Sequence, residues 1–525
     1  MTAERLPTPP DALSRLWQRV LRQRRFRLES ACGTVCREVD QLDAGIAALA
    51  HCWQAAGARP GQVLMLRAAQ GLPAFLSFWA AQRLGLVWLT VDPAWPAARL
   101  ATLAATAGAV WWLDAEALAD GDSGIPAPTM LAALPFMADG SGPPAAAAAD
   151  RRPAWPGTAI AALLPTSGST GTPKLVGLSR AALARSALLA MRCFGWQPGE
   201  RLLNLAEPHT MSGLRHALLA APLAGMCWQM SPPASRPDVF ALFEQIRARR
   251  PQRLVAAPLL VRQANLWRSR LPADTWTGVR ALYCTGADLD PAEVQRFHAG
   301  TGIAVVNYYG LTETVGLCLS QSLDGWDAQD RSLGRPVGCR VRLLDEAGRP
   351  LADAAGGDRP DGDPVGELHV RQRRPASGYW RGTAALAPLV DAEGWLATGD
   401  LARLDARGRV HLVGRRAHFI KTAGTEKVAP AEVEQALESH PEVLEAAVLG
   451  LRTGTGVERI AALVVLRRTD AAGEADTALQ AALIAHVADR LGGARAPSLI
   501  RFTIHLPRAA NGKLLRPQLP TLLEA

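Results

Sequence analysis

Short, wholly apolar runs alternate with helix-length segments over the first three-quarters of the chain, and few folds accept that alternation. Residues 63–66 (V-L-M-L) are too few for a helix and predict a short buried strand; 72–84 predict a helix and 87–91 a second strand. Residues 96–107 predict a second helix with Pro96 near its start, where the missing N–H costs nothing. Strands and helices in turn imply parallel sheets covered by helices, an α/β fold. Two compositional breaks interrupt the pattern. Residues 138–157, with G-S-G-P-P, five consecutive alanines and A-W-P-G, read as a linker, and 349–364, rich in Gly, Asp and Pro, read as a surface loop. After Gly414 the pattern becomes that of a small α+β unit, reached through the G-R-R-A junction at 414–417. A helix begins near Pro430 with Val433 and Leu437 on one face, strands are expected at 446–450 and 460–466, and a second amphipathic helix at 478–491.

Composition removes several function classes. A chain of 525 residues, 49% hydrophobic and 20% charged, has material for three to four units of roughly 150 residues and is not disordered. The arginine-rich start, 1–30, lacks the apolar core of a secretory signal. The longest apolar stretch, 217–228, carries Pro222 and Gly225 and falls short of the roughly 20 residues of a membrane span, so a soluble protein is expected. Eight cysteines without C-x-x-C spacing argue against a disulfide framework or structural zinc and fit a reducing cytoplasm. The net charge of +9 comes from arginines spread among Asp and Glu, without the clustered patch expected for nucleic acid.

The rarest charged residue is the most informative. Of 57 basic residues only four are lysine, Lys174, Lys421, Lys427 and Lys513, leaving 53 arginines. A compact ammonium and a planar guanidinium are not interchangeable where geometry is tight. Lys174 ends the sharpest motif, T-S-G-S-T-G-T-P-K at 166–174, which follows the apolar run 160–164. Gly168 and Gly171 allow backbone N–H groups to approach an anion, the hydroxyls of Thr166, Ser167, Ser169 and Thr170 add donors, and Lys174 adds charge. This reads as a phosphate cradle, though not a Walker loop, because Pro173, Lys174 and Leu175 stand where that motif would end. The alternative is a flexible Ser/Gly loop, which would not need the only lysine of the first 420 residues.

Two weaker motifs follow. N-Y-Y-G-L-T-E-T at 307–314 comes after the strand-like 303–306 and offers an aromatic face for a base, a glycine turn, a hydroxyl and a carboxylate able to hold a hard cation. By itself it also fits a strand and turn with a solvated Glu313. W-L-A-T-G-D at 395–400 ends in Asp400, which can accept hydrogen bonds from vicinal hydroxyls or can belong to a plain turn.

With G-R-R-A-H-F-I-K-T-A-G-T-E-K-V at 414–428 and N-G-K at 511–513, these motifs come in the order of one family. Most of the chain resembles the adenylate-forming superfamily of acyl-CoA synthetases, nonribosomal adenylation domains and luciferases. The resemblance implies a large N-terminal domain, 1–413, of parallel-sheet layers binding ATP and the acyl group. It also implies a hinge at 414–417 and a small mobile C-terminal domain, 418–525. Thr166, Ser167, Gly168, Ser169, Thr170, Gly171 and Lys174 match the pyrophosphate loop, Glu313 and Thr170 the magnesium contacts, and Thr312 the residue near the α-phosphate. Tyr309 matches the residue stacking on adenine, with Asn307, Gly286 and Ala287 near the base, and Asp400 and Arg415 match the ribose contacts. Lys513 matches the lysine that reaches the reacting carboxylate. Lys421 and Gly424 belong to the segment presented to the thiol after the small domain turns. At the hinge Ala417 stands where the family usually has Asp or Lys.

The acyl pocket of the family matches E-P-H-T-M-S-G-L-R-H at 207–216. Thr210, preceded by His209, stands where amino-acid-activating members place an aspartate, which disfavours an amino-acid substrate. Tyr308 and Gly316 also match pocket positions, and the bulk of Tyr308 suggests a small, planar or medium acyl or aryl acid. His209 and His216 can instead be core or surface histidines. The expected activity is ATP- and Mg2+-dependent activation of a carboxylic acid, then thioester formation with coenzyme A. The alternatives are transfer to the phosphopantetheine of a separate holo acyl carrier protein, or a catalytically silent relative.

Overall fold

The computed structural model describes residues 11–30, 33, 35–68, 71–114, 129–130, 155–166, 174–231, 239–287, 289–353, 364–382, 386–416, 420–421, 427–452, 458–467, 477–508 and 514–524. The chain divides into two compact units, Met1–Cys339 with Arg371–Leu396, and Arg340–Val370 with Ala397–Ala525. No helix among the described residues is long and apolar enough to cross a membrane. The seven described cysteines are free thiols.

The first unit is built on a nine-stranded and an eight-stranded sheet. In the nine-stranded sheet, Arg27–Glu29, Cys227–Gln229, Arg201–Asn204, Arg253–Ala256, Ala281–Cys284 and Ala304–Tyr309 run parallel in that spatial order. The apolar runs are continuous because both faces of these strands are buried. Leu64 and Leu66 face the largest core while Val63 and Met65 face another, and the period-2 alternation repeats at Leu202 and Leu203. The largest core takes side chains from both sheets and from the helices Ala12–Gln23, Val39–Ala55, Leu72–Leu84 and Arg180–Cys193. Ala97–Ala107 covers the outer face of one sheet, and Val239–Arg249, Leu259–Leu266 and Pro291–Thr301 cover the other. The result is a layered α/β unit, as the alternation requires.

In the second unit a five-stranded sheet, spanning Cys339–Leu344 to Val410–Arg415, precedes a three-stranded sheet of Val443–Arg452, Glu458–Leu466 and Leu499–Phe502. Both faces of the latter are covered. Ile460, Ala462 and Val464 pack against Val433, Leu437, Leu483 and Val487, whereas Ala461, Leu463 and Val465 pack against Leu506, Leu519 and Leu523.

Several expected boundaries shift for identifiable reasons. Pro96 is extended and caps the helix Ala97–Ala107 rather than opening it. Part of the expected loop at 349–364 is the strand Pro350–Asp353, paired with Cys339–Leu344; its proline stands first, where a lost ladder donor is tolerated. Asn307, Tyr308 and Tyr309 continue their strand instead of following it, because Tyr308 and Tyr309 pair with Ser320 and Leu319. T-G-D lies inside the strand Trp395–Leu404 and is not a turn between elements. Most of the expected linker, 138–154, lies outside the described residues.

Candidate active site

Two neighbouring parallel strands deliver the first group of expected residues. Cys284 is paired with Asn307, so Gly286 and Ala287, just past the end of one strand, lie at the same end of the sheet as Asn307, Tyr308 and Tyr309. Ligands of α/β sheets bind at such carboxyl ends. Asn307 is fixed by Gln321, whose Oε1 accepts from the Asn307 backbone N–H at 3.0 Å and whose own N–H donates to the Asn307 carbonyl at 2.9 Å. Tyr309 is half-buried, and its carbonyl accepts from Cys318 N–H at 3.0 Å.

The chain then folds back sharply. Leu311 O accepts from Thr314 N–H at 3.1 Å and Gly316 N–H at 2.8 Å, and Thr314 Oγ1 accepts from Leu311 N–H at 2.8 Å. A side chain at Gly310 would put its Cβ 2.4 Å from the carbonyl carbon of Gly316, so only glycine fits there. Val315 is buried with φ at +53°, an unfavourable conformation for a β-branched residue. Ser186 Oγ holds it there by donating to the Val315 carbonyl at 2.7 Å. The turn that carries Thr312 and Glu313 is therefore over-determined, as positioned functional backbone tends to be.

Glu313 is not simply solvated. Tyr379 donates its phenolic O–H to Glu313 Oε1 at 3.0 Å, and Glu313 O accepts from Ala376 N–H at 3.1 Å. Burial first, then the Glu313 charge, raises the Tyr379 pKa, so the phenol stays a donor. Tyr379 sits in Gly378–Trp380, which pairs with Lys174–Ser179, and Lys174 Nζ lies 5.1 Å from the Tyr379 ring centroid. One aromatic side chain thus contacts both the lysine of the phosphate-loop motif and the carboxylate of the second motif. Tyr379 lies outside every motif noted in the sequence. Its available signal was rarity: the chain has four tyrosines, and Tyr308, Tyr309 and Tyr379 all belong to this region. Thr166 pairs with Lys174 across the strand pair, its Oγ1 donating to Lys174 O at 3.3 Å.

The expected pocket residues separate into two groups. Thr210 uses its hydroxyl locally, accepting from Gly213 N–H at 3.1 Å and donating to Glu207 O at 2.7 Å, which caps the turn Met211–Gly213. His209 contacts Asp92 at 3.8 Å and faces Trp95; burial lowers its pKa, opposed by Asp92. Tyr308 and Gly316 instead meet residues 211–216. Tyr308 is 1% exposed, with its hydroxyl 3.0 Å from both Ser212 Oγ and His216 Nε2. A Cβ on Gly316, where φ is +79°, would lie 2.4 Å from Met211 Cγ and 2.5 Å from Arg215 Nη1. His216 is fully buried, consistent with its core reading, and Arg215 beside it was not singled out in the sequence.

In the second unit Asp400 and Arg415 are cross-strand partners, with Arg415 Nε 2.8 Å from Asp400 Oδ1. Asp400 is 2% exposed and its N–H donates to Thr398 Oγ1 at 3.1 Å. Lys421 and Lys427 are paired positions on the short strands Ile420–Lys421 and Lys427–Val428. Ser167, Gly168, Ser169, Thr170, Gly171, Ala417, Gly424 and Lys513 lie outside the described residues.

Comparison with known proteins identifies the family. Residues 39–380 match the family of AMP-binding enzymes, and residues 432–513 match the AMP-binding enzyme C-terminal domain. The chain is 33% identical to sulfoacetate–CoA ligase of Cupriavidus necator over 68% of this chain and 66% of that protein. It is 30% identical to benzoate–CoA ligase of Thauera aromatica over 67% and 64% of the respective lengths, so both matches span slightly under two-thirds of the relative. Among solved structures, ATP-bound MatB from Rhodopseudomonas palustris superposes with a TM-score of 0.81 at 25% identity, covering 97% of this chain and 98% of that one. The first of the family matches alone takes in well over half the sequence: this protein belongs to the family of AMP-binding enzymes.

Proposed function

We propose that the protein is an AMP-forming carboxylic acid–thiol ligase. It joins an acid to the α-phosphate of ATP, releases pyrophosphate, and transfers the acyl group from the adenylate to the thiol of coenzyme A. The observation that carries this reading is the convergence of Lys174, Tyr379 and Glu313. A cation and a carboxylate held around one phenol suit a magnesium–polyphosphate substrate. The names of the two relatives, both CoA ligases, point the same way.

A carboxylate approaching an α-phosphorus meets negative oxygens, so the protein must supply positive charge and alignment. Lys174 and the loop before it bind the departing phosphates, Tyr309 and Asn307 hold the base with Gly286 and Ala287, and Asp400 with Arg415 holds the ribose. Thr312 lies near the α-phosphate, and Lys513 reaches both carboxylate and phosphate. Glu313 fits a magnesium ion, because it is a half-buried carboxylate and so a hard-oxygen ligand. Magnesium commonly takes one or two protein carboxylates and completes its shell with phosphate and water. When bound, magnesium neutralises phosphate charge. Thr170 is assigned as a second contact.

Residues 1–413 are assigned to adenylate formation, 414–417 to the hinge and 418–525 to the small domain that carries Lys513, with Lys421 and Gly424 facing the thiol after the domain turns. The separate three-stranded core after residue 420 supports that division. Cysteines scattered without C-x-x-C spacing support a cytoplasmic location.

Tyr379→Phe removes the hydrogen bond that orients Glu313. Loss of such an outer contact weakens metal binding by roughly 10-fold or more. The half-saturating magnesium concentration in the adenylation assay is expected to rise by about that factor, with a smaller change in kcat. An unchanged magnesium dependence would contradict the assignment of Glu313. The overall reaction is tested by mass spectrometry after incubation with ATP, magnesium, a panel of acids and either coenzyme A or a panel of holo carrier proteins. Acyl-CoA is the expected product; acylated carrier protein with no acyl-CoA would move the acceptor to the carrier.

A further inference from the structure

Arg215 is a fully buried cation whose described neighbours include no carboxylate partner. It lies in the π-helical turn Leu214–Ala220 and is 0% exposed. Nη2 lies 2.9 Å from His216 Nε2, Nη1 lies 3.5 Å from the Val315 carbonyl, and Nε has no hydrogen-bond partner. The Tyr308 ring is 5.3 Å from the guanidinium carbon. An arginine does not shed its proton in proteins, and a buried charge without a counter-charge is costly.

His216 does not supply the missing negative charge. Arg215 has only donors, so His216 Nε2 must accept, and the proton of the neutral ring lies on Nδ1. Burial and the neighbouring Arg215 hold the His216 pKa well below its ordinary value, which keeps the ring neutral. Its Nδ1 is also buried without a partner. Two adjacent residues therefore each keep an N–H donor with no acceptor in the fold. Both touch residues that match the family's acyl-pocket positions: a Cβ on Gly316 would lie 2.5 Å from Nη1 of Arg215, and Nε2 of His216 lies 3.0 Å from the hydroxyl of Tyr308.

We propose that Arg215 recognises a second acidic group on the carboxylic acid, so that the substrate is a short acid bearing a further carboxylate or sulfonate. This rests on the ligase reading and specifies its substrate class. A planar guanidinium pairs with either anion through parallel N–H···O bonds. An uncharged acyl chain would leave the buried cation without a counter-charge. Tyr308, buried beside it, limits depth and so favours a short molecule.

The test is acid-dependent exchange of labelled pyrophosphate into ATP, with malonate, succinate and sulfoacetate set against acetate, butyrate and benzoate. Removing one member of a buried charge pair costs enough to expect a preference of roughly 100-fold in kcat/KM for the doubly acidic substrates. In Arg215→Met that ratio should collapse towards unity, with Arg215→Lys intermediate. An ATP-induced thermal shift equal to the parent's verifies that each variant is folded. Exchange restricted to the singly acidic acids, or a preference that survives in Arg215→Met, overturns the proposal and leaves the ligase reading standing. Exchange with no acid at all overturns the ligase reading, and this proposal with it. The parent's own preference decides the matter even if the methionine variant does not fold.

Discussion

Lys513→Ala is expected to lower acid-dependent exchange of pyrophosphate into ATP by roughly a hundred- to a thousandfold, the usual cost of deleting one group aimed at developing transition-state charge. The magnitude follows from the reaction. Two anions must be brought together, and the charge they share at the α-phosphorus is greatest in the transition state. The ammonium of a lysine, carried on a four-carbon side chain, can reach both partners. The same substitution should leave transfer from a supplied acyl-adenylate to the thiol largely intact, because that step follows departure of pyrophosphate. Lys513→Arg should also fail to restore the parent rate, since a planar fork does not replace a compact ammonium. A variant that makes adenylate at the parent rate would show that Lys513 does not have this role.

Asp11→Ala destabilises the first unit by about 3–5 kcal/mol, because it leaves Arg180 buried and uncompensated. Arg180 is 1% exposed and Asp11 1% exposed; Arg180 donates through Nε to Asp11 Oδ1 at 2.7 Å and through Nη2 to Asp11 Oδ2. Gln82 takes two further donors, with Oε1 accepting from Nη1 at 2.7 Å and the carbonyl accepting from Nη2 at 3.1 Å. Asp11 also caps the helix Ala12–Gln23, accepting from Leu13 N–H at 3.1 Å and Ser14 Oγ at 2.6 Å. The first thermal transition should fall by roughly 5 °C. Asp11→Leu combined with Arg180→Met should recover much of the loss, since a buried ion pair replaced by packed apolar groups is often neutral. A single Asp11→Ala variant with an unchanged transition would remove the pair from the account of stability.

The layered architecture was legible because burial on both sheet faces leaves continuous apolar runs, such as V-L-M-L at 63–66 and I-A-A-L-V-V-L at 460–466. Strand ends were less legible. The pairing of Tyr308 and Tyr309 with Ser320 and Leu319 depends on a fold-back that no local pattern announces. Likewise, Pro350 opens a strand that its Gly/Asp/Pro-rich surroundings disguise as a loop.

Site residues followed the same division. The motifs singled out Tyr309, Glu313 and Lys174 because the residue types that suggest their chemistry stand close together in the chain. Tyr379 reaches Glu313 across 66 positions of sequence and could be found only from the pairing of its strand with Lys174–Ser179. Thr210 has a local use that its motif did not announce: its hydroxyl caps its own turn. Arg215 was hidden by composition, one of 53 arginines, and became informative only once its burial and partners were known. Lysine remained informative because there were four.

The most direct test of the central claim is exchange of labelled pyrophosphate into ATP by the purified chain with magnesium and a panel of carboxylic acids. The account predicts exchange that requires both an acid and magnesium. Its absence across the whole panel, with ATP binding intact, would contradict the claim that this AMP-binding enzyme makes an acyl-adenylate.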